Sequence, residues 1–193
     1  IQDAMSENEK VLLIGEDILD PYGGAFKVVE GLSTLFPDRV LTTPISEAAM
    51  IGVANGLALR GFVPVVEIMF GDFITLCTEQ IVNQATKYPW MFNGQVTVPI
   101  VIRTPMGGGS GYGPTHSQTL ENLFMPVPPN LRIVAPSLFH NPGEMLKKCV
   151  FEFEKPVSFI ENKISYPKEI IAGEKFKDLN INRIKSNNHF DIV

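Results

Sequence analysis

The sequence alternates short, unbroken apolar runs with longer segments of helical periodicity. Unbroken apolar runs are typical of parallel strands covered on both faces, whereas a strand with one exposed face alternates apolar and polar residues. The alternation predicts an α/β domain with an open, doubly wound, mostly parallel sheet and helices on both faces. The predicted strands are Val11–Gly15, Arg39–Thr42, Val63–Met69, Val98–Arg103, Leu131–Val134 and Pro156–Glu161. The predicted helices are Phe26–Phe36, Ser46–Arg60, Phe73–Tyr88, Leu120–Met125 and Asn141–Phe153.

The alternation ends near Tyr166. We therefore assign residues 1–166 to one domain, which is long enough to bury its own core. Beyond it, Lys and Asn become frequent and apolar density falls, so residues 167–193 are interpreted as a linker to an absent C-terminal domain. The last residues, His189–Val193, have the pattern of a strand that begins that further domain.

Composition narrows the classes of function. The chain is 45% hydrophobic and 19% charged, as globular proteins are, and its formal net charge is −5. Its basic residues are scattered and its apolar runs are short, so we expect neither nucleic-acid nor membrane binding. Cys77 and Cys149 lie in apolar helical stretches and are predicted to be buried free thiols. That favours a reducing compartment, either a bacterial cytoplasm or an organelle matrix.

One carboxylate, Glu47, lies between a predicted strand and a helix that is apolar on nearly every face. This position predicts a nearly buried side chain at the carboxyl edge of the sheet, where a carboxylate can hold or transfer a proton. A purely structural interpretation fits these residues at least as well. In that interpretation Ser46 caps the helix and Glu47 complements its dipole.

Two further strand ends carry residues that suit a ligand site. Phe70 and Phe73 follow the third strand, and either ring can stack on a heteroaromatic ligand or pack in the core; for Phe70 core packing is favoured. After the fourth strand, five glycines between Gly107 and Gly113 lead to His116. The glycines suit a flexible connector or a loop that approaches an anion. The imidazole suits proton transfer, oxyanion binding or anchoring of the loop.

Seven motifs, in one order from Val11 to Tyr166, resemble those of a known family. The family is the beta subunit, or the beta half of a fused chain, of the thiamin diphosphate-dependent decarboxylating component of 2-oxoacid dehydrogenase complexes, such as the pyruvate and branched-chain enzymes. The motifs are Gly15-Glu16-Asp17, Tyr22 to Val28, Thr43 to Glu47, Glu67 to Phe73, Gln80 to Lys87, Arg103-Thr104-Pro105 and His116-Ser117-Gln118. The resemblance implies a transketolase-like pyrimidine-binding domain that supports decarboxylation of a 2-oxoacid and acyl transfer to a lipoyl group.

The resemblance also implies roles for particular residues. Glu47 corresponds to the glutamate that hydrogen-bonds N1′ of the aminopyrimidine, a bond that favours the tautomer able to accept the thiazolium C2 proton. Phe73 corresponds to the aromatic residue that packs on the pyrimidine, with Met69 and Ile45 as further cofactor-binding residues. His116 corresponds to the histidine that assists 2-oxoacid binding and acyl transfer.

Metals and partners are implied in the same way. Magnesium would be bound by the alpha subunit or a fused alpha half, because Gly71-Asp72 is followed by Phe73 rather than by the glycine of the family's metal motif. The cofactor would then lie between the alpha and beta parts. A second beta copy and the lipoyl domain of the acyltransferase component are further implied partners, and the chain alone is expected to be inactive. Backbone carbonyls of Ile100, Cys149, Phe151 and Phe153 are candidate ligands for a structural potassium ion.

Two other functions stay open. One is another enzyme of the superfamily, such as a transketolase or a deoxyxylulose-phosphate synthase, which needs basic and histidine anchors for a sugar phosphate. The His116-Ser117-Gln118 and Tyr22-Gly23-Gly24 motifs favour the dehydrogenase instead. The other is a noncatalytic dimerisation module, which would have no need of Glu47, Phe73 and His116. The sequence does not identify the 2-oxoacid.

Overall fold

A computed structural model describes residues 1–124 and 130–170. Within them, parallel strands form a six-stranded sheet in the order β2-β1-β3-β4-β6-β5. The strands are β1 (Val11–Gly15), β2 (Val40–Thr42), β3 (Val63–Glu67), β4 (Val101–Met106), β5 (Arg132–Val134) and β6 (Val157–Asn162). This sheet confirms the predicted open, doubly wound α/β fold.

Helical segments connect the strands. The α-helices are α1 (Gln2–Glu7), α2 (Leu32–Leu35), α3 (Glu47–Leu59), α4 (Tyr88–Met91) and α5 (Pro142–Glu152). A π-helix spans Gln80–Ala85, and 3-10 helices span Gly71–Cys77, Pro114–His116, Glu121–Leu123 and Lys163–Ser165. No helix among the described residues is long and apolar enough to cross a membrane.

Every strand direction in the sheet is the same, and the chain changes direction across the sheet beside β1. Leu13 of β1 lies opposite Val40 of β2 on one side and opposite Val65 of β3 on the other. The chain therefore goes from β1 to one edge of the sheet and returns past it through β3. Ligands of doubly wound proteins bind at the carboxyl ends of the strands beside such a switch point.

The sheet is buried because helices cover both of its faces. On one face, Leu13 and Val65 pack with residues of α1 and α5. On the other face, Ile14 and Val66 pack with α3 and with the helical segment 71–85. Successive side chains of a strand point to opposite faces, so each strand contributes to two cores. This explains why the strands are continuous apolar runs in the sequence.

The predicted helix Phe26–Phe36 is wrong except for its last turn, α2. Lys27 and Gly31 have φ of +57° and +86°, and this left-handed backbone interrupts a right-handed helix. Asp20 accepts hydrogen bonds from the backbone N–H groups of Gly31 and Thr34, at 2.5 and 2.9 Å. These bonds satisfy donors at the start of α2 that have no partner within the helix. Apolar spacing does not reveal such breaks.

The predicted helix Phe73–Tyr88 is helical but not continuously α-helical, since it divides into the 3-10 helix, the π-helix and the start of α4. Threonine hydroxyls donate back to carbonyls along this segment. Thr75 bonds to Asp72 at 2.9 Å and Thr86 bonds to Val82 at 2.7 Å. Side-chain bonds of this kind compete with the regular α-helical ladder.

The fourth strand begins and ends three residues later than predicted, at Val101–Met106 rather than Val98–Arg103. Pro99 has no N–H to donate, and the N–H of Ile100 bonds to the carbonyl of Val98 at 2.9 Å, so the chain still turns before β4 begins. The other predicted strands, and the helices that became α3 and α5, agree with the structure to within two residues.

Some predictions fall partly or wholly outside the described residues. The predicted helix Leu120–Met125 is a 3-10 turn at Glu121–Leu123, and Met125 lies outside the described part. Only residues 167–170 of the predicted linker are described, and His189–Val193 lies outside as well. The domain boundary at residue 166 stays a prediction.

Candidate active site

The carboxyl edge of the sheet gathers side chains from strand ends that are distant in sequence. Because the strands are parallel, the residues that follow them lie at one edge. Glu16 follows β1, Glu47 follows β2, and Phe70 follows β3. The glycine-rich loop, residues 107–118, follows β4, and Lys163 follows β6. The edge is therefore acidic beside β1 and β2, and aromatic beside β3 and β4.

Glu47 is the first residue of α3 and is 5% exposed. Among the described residues, no donor hydrogen-bonds to its carboxylate. The Ser46 side chain makes no cap hydrogen bond either, so the capping half of the structural interpretation is wrong. Buried polar groups in proteins are nearly always hydrogen-bonded. A nearly buried carboxylate without a protein donor therefore suits a ligand that brings its own donor.

A second carboxylate, Glu16, lies beside Glu47. Its Oε1 accepts a hydrogen bond from the Ser46 N–H at 3.0 Å, and the residue is 5% exposed. Burial raises the pKa of Glu16, the negative charge of Glu47 raises it further, and the Ser46 hydrogen bond opposes the rise. Glu16 can therefore retain a proton at a pH at which a carboxyl group in water would release it.

The buried thiol of Cys77, at the end of the 3-10 helix Gly71–Cys77, lies within the electrostatic influence of Glu47. Burial raises the pKa of Cys77 to about 12, and the charge of Glu47 contributes to the rise. This helix packs against α3 and also carries Phe73, so it connects the acidic and aromatic parts of the edge. Cys77 and Cys149 are both buried and free, which confirms the prediction for the two thiols.

The imidazole of His116 packs edge-on against two aromatic rings. Its ring centroid lies 4.7 Å from that of Phe70 and 5.2 Å from that of Phe73. Tyr112, also in the glycine-rich loop, lies 5.4 Å from Phe70. His116 Nδ1 is 2.9 Å from the Thr115 hydroxyl. Phe70 is buried, as predicted, yet it also contacts the imidazole, so the two interpretations of this ring are compatible.

The loop that carries His116 is fixed at its C-terminal end. The Gly107 N–H donates to the Gln118 carbonyl at 3.1 Å, which closes the loop. Gln118 Nε2 donates to Asp72 Oδ1 at 2.8 Å, and Lys163 Nζ donates to the His116 carbonyl. His116 is thus anchored to the 3-10 helix and to the residue after β6.

A buried ionic cluster lies beneath the aromatic rings; we call it the Arg103 network (Arg103, Glu67, Glu161 and Tyr166). The Arg103 guanidinium pairs with Glu67 Oε2 at 2.5 Å and with Glu161 Oε2 at 2.6 Å, and is 1% exposed. The Tyr166 hydroxyl donates to Glu161 Oε2 at 2.8 Å, and its ring lies 5.4 Å from that of Phe26. Burial raises the pKa of Glu67, although Arg103 opposes the shift. Two carboxylates therefore share one guanidinium.

The structure brings some of the predicted site residues into contact with each other and leaves others apart. Phe73 and His116 are in contact, and both are half-buried. Glu47 is instead close enough to Glu16 and Cys77 for its charge to raise the pKa of each. Met69 is half-buried between β3 and Phe70, and Ile45 is 82% exposed. Their roles in cofactor binding stay predictions.

The potassium site also stays a prediction. The Ile100 carbonyl accepts the Val157 N–H at 2.9 Å, Cys149 is buried within α5, Phe151 is 41% exposed and Phe153 is the C-cap residue of α5. Within residues 1–124 and 130–170, no group of three or more His, Cys, Asp or Glu side chains could hold a metal ion.

Three residues of the edge received no role in the sequence-based prediction. Glu16 is a charged residue directly after the apolar strand β1, so position alone could have indicated it. Lys163 directly follows β6, but that strand ends in polar residues, so the signal is weaker. Tyr112 gives no such signal, because its place beside Phe70 depends on the path of the glycine-rich loop.

The fold is that of an α/β domain, and its candidate ligand site lies at the carboxyl edge of a parallel sheet. The chain belongs to the family described as transketolase, pyrimidine binding domain, which matches residues 1–169. In fold it is similar to a solved split-gene transketolase described as an inactive beta4 tetramer, with a TM-score of 0.62 and 24% identity over 82% of this chain and 46% of that one.

Two curated relatives are more similar in sequence. The beta subunit of acetoin:2,6-dichlorophenolindophenol oxidoreductase from Bacillus subtilis is 41% identical, over 84% of this chain and 51% of that protein. The beta subunit of 3-methyl-2-oxobutanoate dehydrogenase from Mycobacterium tuberculosis is 40% identical, over 86% of this chain and 47% of that protein. The chain thus spans about half the length of these relatives.

Proposed function

We propose that this chain is the pyrimidine-binding part of the beta subunit of a thiamin diphosphate-dependent 2-oxoacid dehydrogenase. The observation that carries the proposal is the Glu47 carboxylate, which is 5% exposed and receives no hydrogen bond from any described residue. In its imino tautomer, an aminopyrimidine ring offers at N1′ the N–H donor that such a carboxylate lacks. Membership of the pyrimidine-binding family and the similarity to dehydrogenase beta subunits support the same function.

The residues of the edge fit the pyrimidine end of this cofactor. Glu47 would bind N1′, and the half-buried ring of Phe73 would pack on the pyrimidine, with Met69 and Ile45 beside it. When bound, thiamin diphosphate supplies the nucleophilic carbon that attacks the substrate carbonyl. Glu47 would hold a proton at N1′.

His116 would act on the substrate side. Its ring is half-buried and held by Phe70 and Phe73, so one face of the site presents a fixed imidazole. An imidazole can donate a hydrogen bond to an oxyanion or move a proton near neutral pH. We propose that it orients the 2-oxoacid and assists acyl transfer to a lipoyl group.

Other polypeptides would complete the enzyme. Both curated relatives are named as beta subunits, which supports an alpha partner. We propose that this partner binds the cofactor diphosphate through magnesium, that a second beta copy joins the assembly, and that a lipoyl domain receives the acyl group. Magnesium and potassium sites are proposals from the family resemblance.

Acetoin is a second candidate substrate. The relative at 41% identity is an acetoin oxidoreductase beta subunit, whereas the dehydrogenase beta subunit is 40% identical. Assay of the full-length protein with its alpha subunit, thiamin diphosphate and magnesium, on pyruvate, branched-chain 2-oxoacids and acetoin, separates the two. Turnover of acetoin alone would contradict the 2-oxoacid assignment.

Glu47→Gln tests the central proposal. The amide keeps the size of the side chain but cannot hold the N1′ proton as a carboxylate does, so kcat should fall by about 10²–10⁴-fold. Glu9→Gln, on an exposed turn, is the matched control and should leave kcat unchanged. Fluorescence titration with thiamin diphosphate separates lost binding from lost turnover. An unchanged kcat in Glu47→Gln would sink the mechanism.

A further inference from the structure

Lys163 has an almost fully buried side chain at the carboxyl edge of the sheet. The residue is 4% exposed and follows β6. Its Nζ lies 5.1 Å from the centroid of the Phe70 ring and 5.5 Å from that of Tyr112. Lysine is almost never buried without partners, since desolvation disfavours its charge. The amine therefore needs a set of compensating contacts.

Those contacts come from two aromatic rings and a carbonyl, and the charge of a carboxylate, Asp72, adds to them. Lys163 Nζ donates to the His116 carbonyl and faces the two ring systems, whose π-electrons attract a cation. Burial lowers the pKa of Lys163, and the charge of Asp72 opposes the shift. Asp72 also accepts from Gln118 Nε2 at 2.8 Å. The lysine and the aspartate thus hold neighbouring residues of one loop.

The loop needs external contacts because its backbone has little conformational preference. Gly107, Gly109, Gly111 and Gly113 all have positive φ, between 77° and 93°. Glycine loses more conformational freedom on ordering than any other residue. His116 is at the end of this glycine-rich loop, so the position of its imidazole depends on whatever fixes the backbone there.

We propose that Lys163 is a positioning residue for His116: its amine fixes the His116 backbone so that the imidazole stays edge-on against Phe70 and Phe73. The inference rests on the proposed function, because it takes His116 as the group that meets the substrate. It adds a lysine from β6 to a site whose other members follow β1 to β4.

The test is Lys163→Met in the full-length protein assembled with its alpha subunit. Hydrogen–deuterium exchange over residues 107–118 should become about tenfold faster, because the loop loses an anchor, while exchange in α5 stays the same. The kcat should fall by about 10- to 100-fold, as expected for a displaced catalytic group. Lys168→Met, an exposed lysine five residues later, is the matched control and should change neither quantity.

A conservative variant guards against a merely structural effect. Lys163→Arg keeps a cationic donor for the His116 carbonyl, so it should preserve both slow loop exchange and kcat. Preservation of both quantities in Lys163→Arg, together with their change in Lys163→Met, supports the inference.

Two outcomes overturn it, and they are distinguishable from failure of the proposed function. Unchanged exchange over residues 107–118, or equally faster exchange in α5, shows that Lys163 does not hold the loop in particular. Faster loop exchange with unchanged kcat shows that positioning of His116 has no catalytic consequence. Failure of the proposed function would appear instead as an unaltered enzyme without turnover of any tested substrate, while the exchange experiment would still report on the loop.

Discussion

The acidic and the aromatic parts of the carboxyl edge are built in different ways. Glu16 and Glu47 are placed by regular elements, since one follows β1 and the other begins α3. The N–H of Ser46, the residue before Glu47, donates to Glu16 Oε1 at 3.0 Å. His116 is placed by side chains of the 3-10 helix and of residues that follow β3 and β6. The comparison teaches that backbone geometry suffices for the carboxylates, whereas the imidazole depends on tertiary packing. Substitutions beneath the aromatic part should therefore cost more stability.

The largest effect is expected from Arg103→Met. Removal of the guanidinium leaves Glu67 and Glu161 buried without their shared cation, and breaking a buried ion pair costs about 3–5 kcal/mol in the free energy of unfolding. Chemical denaturation at pH 7 measures this loss. The exposed pair Lys27–Glu30 supplies the control: Lys27→Met should change stability far less.

The pH dependence of the Arg103→Met variant sharpens the same test. Burial without the Arg103 cation raises the pKa of Glu67 in the folded protein above its value in the unfolded chain. The folded state then binds more protons, so stability increases as the pH falls towards that raised pKa. Part of the loss at pH 7 should therefore be recovered in mildly acidic buffer. A loss that is the same at every pH would contradict the proposed buried charges.

A smaller effect is expected from Gly71→Ala, at the start of the 3-10 helix beneath His116. A Cβ atom there would lie 2.2 Å from Met106 Cγ and 3.1 Å from its Sδ, which itself accepts the Leu120 N–H at 3.4 Å. Overpacking of this kind costs about 1–3 kcal/mol. Thermal unfolding measures the loss.

Gly56→Ala is the matched control for this substitution. Gly56 lies in α3 with no atom within 4 Å of an added Cβ, so alanine should stabilise the helix by about 0.5–1 kcal/mol. If Gly71→Ala and Gly56→Ala lose equal stability, the clash with Met106 does not cause the loss. The aromatic part then does not depend on packing at Gly71.

The smallest effect is expected from Glu16→Gln, in the acidic part. The raised pKa of Glu16 means that the folded protein binds its proton more tightly than the unfolded chain does, so the ionised side chain lowers stability as the pH rises. The amide still accepts the Ser46 N–H and carries no charge. The melting temperature should increase by about 1–2 °C at pH 7, with a gain that shrinks as the pH falls. A decrease larger than that of Gly71→Ala would break the comparison.

The acidic and aromatic parts of the edge also differ in how far the sequence predicts them. Glu47 was predicted at the edge because a strand pattern precedes it and a helix pattern follows it, and both patterns depend on local spacing. The contact of His116 with Phe70 and Phe73 could be expected only from shared strand ends, and nothing in the spacing of Lys163 or Tyr112 indicates which rings they meet. The false helix at Phe26–Phe36 failed for a related reason, since positive φ at Lys27 leaves no mark in apolar periodicity.

The outer strands of the described sheet have a consequence for assembly. β2 and β5 are each three residues long, Val40–Thr42 and Arg132–Val134. Short edge strands offer few unpaired main-chain N–H and C=O groups to a strand of another molecule, so they discourage sheet extension between molecules. Any subunit that binds this domain is therefore expected to contact its helices and loops, without adding a strand to the sheet.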